Sequence, residues 1–268
     1  MDKTNIKLIV SDVDGTLLNS SHQLNPKFFD IFEQLEAAGV IFVVASGRQY
    51  QNLRKVFERI EDRIIFAAEN GSYIVHRGKE MLAQTLPVES VYELVNIGRG
   101  NPTSKLVLCG KNTAYIENAE EPFINHLSVY FERFEVVEDL LSVNEEILKF
   151  TVCDLSGSEA NSYPDFAHLH DRFQVKISGD TWLDISEKLA HKGNAVSMLQ
   201  DMYGVSKEQT MVFGDYLNDL EMMRQAYFSY AMANGHPEVK GVARFIAKNN
   251  NEDGVIEVLE RLVGVMAY

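Results

Sequence analysis

The sequence lacks any apolar run long enough to cross a membrane. A transmembrane helix needs about 20 consecutive apolar residues, and no run in these 268 residues approaches that length. The N-terminus, Met1–Asn5, is polar, and the first apolar run is too short for the core of a signal peptide. We therefore expect a cytoplasmic protein without a membrane partner.

Cysteine is nearly absent, and several common catalytic motifs are missing. Cys109 and Cys153 are the only cysteines, and each lies in an apolar, strand-like run, so two buried, reduced thiols are expected, with a disulfide as the alternative. The seven histidines are scattered and form no zinc-spaced set, which favours surface or packing roles for them. There is no Walker-type glycine loop and no Gly-x-Ser-x-Gly elbow.

Basic charge is scarce, with 25 Lys and Arg against 39 Asp and Glu and a net charge of −14. Because nucleic-acid binding normally requires a basic face, we expect no nucleic-acid partner. A small phosphorylated substrate is not excluded, since a few local cations or one metal ion can reverse the field inside a pocket. For self-association we expect no more than a monomer or a weak homodimer.

The apolar residues alternate between short strand-like runs and amphipathic helical stretches. Strand-like runs at residues 6–10, 40–45 and 64–68 are separated by two helical stretches. This alternation is typical of a parallel, doubly wound sheet, and the same texture returns after residue 194. We therefore predict an α/β fold with a Rossmann-like parallel sheet.

Between roughly residues 84 and 186 the pattern changes to more closely spaced strand-like runs, with a helical stretch expected near residues 158–170. Because parallel-sheet texture resumes afterwards, this part is expected to be an inserted α+β module. We predict a core of residues 1–85 and 186–268 and an inserted α+β domain of residues 86–185.

Two aspartates, Asp12 and Asp14, follow the first predicted strand. Residues two apart in extended backbone point to the same side, so both carboxylates can face one cavity while Val13 packs. Carboxylates crowded in this way repel each other unless a cation or a shared proton relieves them. The alternative is a solvated turn rich in Asp and Gly.

Other polar residues follow strands that would end at the same edge of the sheet. Ser46-Gly47-Arg48 follows the second strand, Gly214–Asp219 follows a later one, and Lys192 precedes a helix. In open α/β sheets, ligands bind outside the carboxyl ends of the strands, so we expect these residues to share a site with Asp12 and Asp14. The carboxylate and carbonyl oxygens among them are the ligands that Mg²⁺ prefers.

Each of these residues also has a simpler explanation. Ser46 can cap a strand-to-helix turn, and Lys192 can be a solvated surface lysine. Asp215, Asn218 and Asp219 can form a capped helix start, where the helix dipole favours acids.

Taken in order, the four segments resemble the four motifs of the haloacid dehalogenase-like (HAD) hydrolases. The segments are Asp12-Val13-Asp14-Gly15-Thr16, Ser46-Gly47-Arg48, Lys192-Gly193 and Gly214-Asp215…Asn218-Asp219. The insertion resembles the cap of the Cof-type, subtype IIB phosphatases, and Glu69-Asn70-Gly71 resembles a recurrent Asn-Gly of that subgroup. Tyr216 departs from the pattern, because a second glycine is common at that place.

The resemblance implies a role for each residue. Asp12 would attack phosphorus to give an aspartyl-phosphate, and Asp14 would protonate the leaving group and then activate water. Mg²⁺ would be held by Asp12, the carbonyl of Asp14 and Asp215, with Asp219 in support. The phosphoryl oxygens would be held by Ser46, Gly47, Lys192 and Asn218.

We therefore expect a Mg²⁺-dependent phosphatase of small phosphorylated metabolites, either sugar phosphates or a phosphorylated cofactor such as pyridoxal phosphate. The cap would close over the site through hinges near residues 86–90 and 185–189. An acid at position 14 supports ester hydrolysis or phosphoryl transfer, so a hexose phosphomutase is one alternative. A metabolite-binding regulatory protein without turnover is the other.

Overall fold

The computed structural model describes residues 5–266, so the polar residues 1–4, on which the signal-peptide expectation partly rests, lie outside the described residues. The strands are β1 (Leu8–Ser11), β2 (Ile41–Ala45), β3 (Ile65–Ala68), β4 (Tyr73–His76), β5 (Lys79–Ala83), β6 (Lys105–Gly110), β7 (Ala114–Ile116), β8 (Phe134–Val136), β9 (Ile147–Cys153), β10 (Phe173–Gly179), β11 (Trp182–Glu187), β12 (Thr210–Gly214), β13 (Phe228–Met232) and β14 (Phe245–Ala247). The helices are α1 (Lys27–Ala37), α2 (Tyr50–Val56), α3 (Val88–Arg99), α4 (Glu121–Tyr130), α5 (Ser158–Asn161), α6 (Tyr163–Phe166), α7 (Lys192–Tyr203), α8 (Leu220–Met223), α9 (Pro237–Val242) and α10 (Gly254–Met266).

The first sheet has the strand order β14-β13-β12-β1-β2-β3-β4-β5. Neighbouring strands from β14 to β3 are parallel, whereas β4 and β5 pair antiparallel at one edge. The central strands are short, buried apolar runs, as expected where helices cover both faces of a parallel sheet. The predicted α/β fold with a doubly wound parallel sheet is confirmed.

Strand β2 shows how the sequence divides the core between the two faces of this sheet. Phe42 and Val44 join the apolar cluster that includes residues of α1 and α10, and Val43 and Ala45 join the cluster that includes residues of α7 and α8. Alternate side chains of a strand point to opposite faces, so one five-residue strand contributes to both layers.

The second sheet has the order β10-β11-β9-β6-β7-β8 and is antiparallel except for the β7–β8 pair. Its strands all come from residues 105–187, between β5 and α7 in the chain, and two further apolar clusters pack against it. The assignment of residues 86–185 to a separate domain stays a prediction, and β11 itself continues to Glu187.

Two segments differ from the expected pattern. The hairpin of β4 and β5 was not predicted; it turns at Arg77 and Gly78, which both have positive φ, as the tight turns of two-residue hairpins require. Residues 158–170 form α5, α6 and a 3-10 turn rather than one helix. Pro164 explains the break, because it lacks the N–H donor needed to continue α5, whereas in the first turn of α6 no such donor is required.

Two expectations about the whole chain can be compared with the structure. Cys109 and Cys153 are both buried free thiols, which confirms the expectation of reduced cysteines. Among residues 5–266, no helix combines the length and the apolar character needed to cross a bilayer.

Candidate active site

The candidate site lies at the carboxyl ends of three adjacent strands of the first sheet. Strand β1 has β12 and β2 as its neighbours, so Asp12, Asp215 and Ser46 leave the sheet side by side. The backbone N–H of Asp12 donates to the carbonyl of Phe213 at 2.9 Å, which ties the end of β1 to β12. The order of the parallel strands thus brings together residues more than 160 positions apart in the chain. Because the carboxyl ends of parallel strands meet at one edge, the sequence pattern could predict this site.

Asp12 is buried, at 6% exposure, and is held by a lysine that is itself completely buried. Lys192 Nζ lies 2.6 Å from Asp12 Oδ1 and 2.7 Å from Asp219 Oδ1. Lys192 is therefore not the solvated surface lysine considered as the alternative. Burial raises the pKa of Asp12 to about 7, because Lys192 offsets only part of the desolvation and Asp219 adds repulsion.

The carboxylates of Asp12, Asp215 and Asp219 converge, with one oxygen of each lying within 4.8 Å of the others. Burial and the charges of Asp12 and Asp219 raise the pKa of Asp215 well above its ordinary value. Gly15 has φ of 72°, and a Cβ there would collide with the Asp215 carboxylate, so glycine is needed for the close approach of the two loops.

The carboxylate oxygens of Asp219 and Asp12 differ in their hydrogen-bond partners. Asp219 Oδ2 accepts hydrogen bonds from the backbone N–H groups of Asp215 at 2.9 Å and Tyr216 at 3.1 Å, and its Oδ1 accepts from Lys192. Both oxygens of Asp219 therefore orient the loop and the lysine. Asp12 Oδ2, by contrast, is buried and has no hydrogen-bond partner among the described residues. A cluster of converging carboxylates in which burial raises the pKa values of Asp12 and Asp215 fits a hard divalent cation, whose charge would relieve their repulsion.

Asp14 has a different set of partners from Asp12. Arg48, whose side chain is 5% exposed, binds the carboxylate with two nitrogens, and Arg48 Nε lies 2.6 Å from Asp14 Oδ2. His22 Nδ1 lies 3.2 Å from Asp14 Oδ1. Burial alone would raise the pKa of Asp14, but the hydrogen bonds from His22 and Arg48 outweigh it and lower the pKa.

Arg48 and His22 had no predicted role at the site. Arg48 directly follows Ser46-Gly47, so its place in the motif was a signal that it lies near Asp14. His22 lies in a polar loop that matches no motif, and its contact with Asp14 corrects the interpretation of all histidines as surface or packing residues.

The predicted phosphate-binding residues lie around the same cavity. Ser46 is buried, and its Oγ accepts a hydrogen bond from the backbone N–H of Arg48 at 3.1 Å. Helix α2 itself has Gln49 at its cap position and no side-chain cap hydrogen bond, so Ser46 is not its cap. Asn218 Nδ2 donates to Asn70 Oδ1 at 2.9 Å, so part of its amide is used within the protein.

A cavity of about 660 Å³ connects these residues with the second sheet. Asp12, Asp14, Ser46 and Asn218 line its floor, and Lys192 lies behind Asp12 without lining it. The opposite wall is aromatic and polar and is formed by residues that include His126, Tyr130, Thr181 and Trp182, with Tyr216 from the first sheet. A cavity of this size and lining suits a small molecule.

Comparison with known proteins agrees with this arrangement. A model of the haloacid dehalogenase-like hydrolase family matches residues 9–259. The chain belongs to this family. The 5-amino-6-(5-phospho-D-ribitylamino)uracil phosphatase YbjI of Escherichia coli (strain K12) is 32% identical over 262 residues, covering 96% of each chain.

Solved structures show the same fold over the full length. The crystal structure of SMU.1108c from Streptococcus mutans UA159 matches with a TM-score of 0.91 and 30% identity, covering 97% of this chain and 99% of that chain. The HAD subclass IIB sugar phosphatase BT4131 matches with a TM-score of 0.83, covering 97% and 99%, and its 19% identity makes this a likeness of fold. The predicted family and the predicted enzyme class are confirmed: the chain is a HAD-type phosphatase.

Proposed function

We propose that this protein is a Mg²⁺-dependent phosphatase that hydrolyses small phosphorylated metabolites through an aspartyl-phosphate on Asp12. The observation that carries the proposal is the state of the Asp12 carboxylate. One of its oxygens is bound by Lys192 at 2.6 Å, and the other is buried at the cavity without a hydrogen-bond partner among the described residues. A nucleophile needs this combination of an oriented carboxylate and one free oxygen.

In the first step Asp12 Oδ2 attacks phosphorus, and the bond between phosphorus and the leaving oxygen breaks. Protonated Asp14 gives its proton to that oxygen, so the leaving group departs as an alcohol. In the second step water attacks phosphorus, Asp14 takes the water proton, and phosphate leaves with Asp12 restored. Arg48 and His22 lower the pKa of Asp14 in the free protein, so Asp14 would take up its proton when the negatively charged phosphoryl group binds beside it. Its role as the base toward water rests on its position rather than on its basicity.

Mg²⁺ would supply positive charge to the phosphoryl oxygens and would be held by Asp12, the carbonyl of Asp14 and Asp215. Asp219 would keep Asp215 and Lys192 in place through three hydrogen bonds, which it accepts from the Lys192 ammonium and from the backbone N–H groups of Asp215 and Tyr216. Donors to the phosphoryl group would come from Ser46, Gly47, Lys192 and Asn218.

The second sheet would act as a cap that covers the cavity and recognises the leaving group. Sugar phosphates, pyridoxal phosphate and the phosphorylated ribitylaminouracil for which the Escherichia coli relative is named are the substrates to test first. The predicted cap bounds, 86–185, the cytoplasmic location and a monomer or weak homodimer belong to the same proposal.

A panel of phosphate esters tests this function, with release of inorganic phosphate measured in Mg²⁺ and in EDTA. Wild-type protein should release phosphate only with the metal, and Asp12→Asn should reduce turnover below detection. An Asp12→Asn variant with full activity would overturn the mechanism. Isomerised hexose phosphate without net phosphate release would indicate the phosphomutase, and binding without turnover across the panel would indicate the regulatory protein.

A further inference from the structure

Lys149 is a buried cation of the second sheet that the proposed mechanism does not use. It lies on β9 and is 2% exposed. Its ammonium lies 2.9 Å from Glu69 Oε2 and 3.3 Å from Asp184 Oδ2, and it donates to the carbonyl oxygen of Gly47 at 2.8 Å. Asp184 belongs to the second sheet, whereas Glu69 and Gly47 follow strands of the first sheet. Lys149 therefore joins the two sheets beside the candidate site.

The ammonium remains charged in this environment. Burial alone would lower the pKa of Lys149, but the carboxylates of Asp184 and Glu69 outweigh it and raise the pKa. Asp184 is fixed in turn, because Thr151 Oγ1 donates to its Oδ1 at 2.7 Å and Asn70 Nδ2 donates to its Oδ2 at 2.6 Å. The lysine is thus held in one position by charges and hydrogen bonds from both sheets.

Each backbone carbonyl of residues 46–48, which we call the Ser46 loop, accepts a hydrogen bond, and Lys149 supplies the donor for Gly47. The carbonyl of Ser46 accepts from the N–H of Asn70 at 2.8 Å, and that of Arg48 accepts from the N–H of Glu69 at 3.1 Å. Both donors come from the first sheet. The carbonyl between them, that of Gly47, is bound by Lys149 from the second sheet.

This contact also bears on the hydroxyl of Ser46. The carbonyl of Gly47 and the N–H of Arg48 belong to one planar peptide group, so fixing the direction of one fixes the other. That same N–H donates to Ser46 Oγ at 3.1 Å. Lys149 therefore controls the peptide group that orients the Ser46 side chain at the edge of the cavity.

We propose that Lys149 is a positioning residue for phosphoryl binding: through the Gly47 carbonyl it sets the geometry of the Ser46 loop when the second sheet is seated on the first. This inference rests on the proposed function, because it assumes that the Ser46 loop receives the phosphoryl group. It predicts that removing the ammonium weakens the binding of phosphate itself as well as turnover.

The test removes Lys149 while keeping the net charge of its cluster as in wild type, and Asp184 keeps its hydrogen bonds from Thr151 and Asn70. Glu69→Gln serves as the background, and Glu69→Gln with Lys149→Met removes one negative and one positive charge together. Lys176→Met is the matched control, because Lys176 also ties the second sheet to the part of the chain around the first, through Glu221 of α8 at 2.7 Å, but no hydrogen bond or ion pair links it to the Ser46 loop. The measurements are kcat and KM for p-nitrophenyl phosphate, the inhibition constant of inorganic phosphate, and the midpoint of thermal unfolding.

Relative to Glu69→Gln, the double variant should lose about 10- to 100-fold in kcat/KM, as expected when a reacting group is misplaced. Inorganic phosphate should inhibit it at least tenfold more weakly, while Lys176→Met stays within about threefold of wild type by both measures. A purely structural lysine would lower only the unfolding midpoint. A folded double variant with unchanged phosphate inhibition would overturn the proposal.

A second pair, Asp184→Asn with and without Lys149→Met, makes the same comparison if the first double variant does not fold. If neither double variant folds while Lys176→Met does, Lys149 is a stability residue and the proposal is wrong. If wild-type protein does not hydrolyse p-nitrophenyl phosphate, the proposed function fails separately. The affinity for inorganic phosphate, measured by calorimetry with Mg²⁺, then decides the role of Lys149.

Discussion

Asp12 and Asp14 are two residues apart at the end of one strand, yet the fold gives them opposite environments. Asp12 is buried beside two other acids, and its pKa rises to about 7. Asp14 is bound by Arg48 and His22, and its pKa falls. Neighbouring carboxyl groups with pKa values shifted apart are a recurring way to give one site separate acid–base roles. The difference comes from partners elsewhere in the chain rather than from the two aspartates themselves.

Among substitutions that leave Asp12 in place, the exchange of Asp14 should have the largest effect on turnover. Asp14→Asn is expected to lower kcat for an alkyl phosphate about 100- to 10,000-fold, because the amide can neither give nor take the proton. With p-nitrophenyl phosphate, rapid-mixing experiments should still show a burst of nitrophenolate, since this leaving group needs little protonation. Wild-type turnover of both substrates by the variant would contradict the assigned role.

The two aspartates should also have opposite effects on stability in the absence of metal. At pH 8 in EDTA, Asp12→Asn is expected to raise the free energy of unfolding by about 2 kcal/mol, because it removes a charge whose pKa is raised by burial. Asp14→Asn should lower it by about 2 kcal/mol, because it leaves the buried guanidinium of Arg48 without its carboxylate. Urea unfolding of both variants measures the two changes in the free energy of unfolding. Changes of the same sign would contradict the proposal that the fold gives the two aspartates opposite environments.

The pH dependence of stability follows from the same shifts. The folded protein binds more protons at Asp12 than the unfolded chain does between about pH 4 and the raised pKa of about 7, so the contribution of Asp12 falls as pH rises through this range. The pKa of Asp14 is lowered, so its contribution is present above about pH 4 and is lost as pH falls through the folded pKa. Urea unfolding without metal, repeated across this pH range, measures the free energy of unfolding at each pH. Asp12→Asn should abolish its fall between about pH 4 and pH 7, and Asp14→Asn should abolish its fall at acidic pH.

The smallest effect is expected from His22. Because Arg48 still binds Asp14, loss of His22 removes only part of what lowers the pKa of Asp14. His22→Ala should therefore raise that pKa and shift upward, by about half a pH unit, the alkaline limb of kcat/KM, where Asp14 loses the proton that it gives to the leaving group. A pH–rate profile of the variant beside wild type measures this shift. A downward shift would show that His22 does not stabilise the Asp14 carboxylate.

Much of the site could be predicted from the sequence because parallel strand order does most of the assembly. Asp12, Ser46 and Asp215 each follow an apolar run, and neighbouring parallel strands place their carboxyl ends at one edge. The hairpin of β4 and β5 was missed because its exposed second strand lacks the apolar run that marked the other strands.

The partners that distinguish the two aspartates could not be predicted in the same way. The contact between Arg48 and Asp14 depends on the direction of a long side chain, and His22 reaches Asp14 from a loop without regular structure. Lys149 belongs to a different sheet and lies in an apolar strand, where a lysine gives no sign of the residues it will meet. Such contacts are set by how the second sheet is seated on the first.

The most direct test of the central claim is to identify the group that accepts the phosphoryl from the substrate. A single turnover with ³²P-labelled substrate, stopped in acid and followed by peptide mapping, should place the label on the peptide that contains Asp12. Asp14→Asn should increase the labelled fraction, because hydrolysis of the intermediate slows, and Asp12→Asn should abolish it. Phosphate release by wild-type protein with no label on that peptide, or with the label on another residue, would contradict the account.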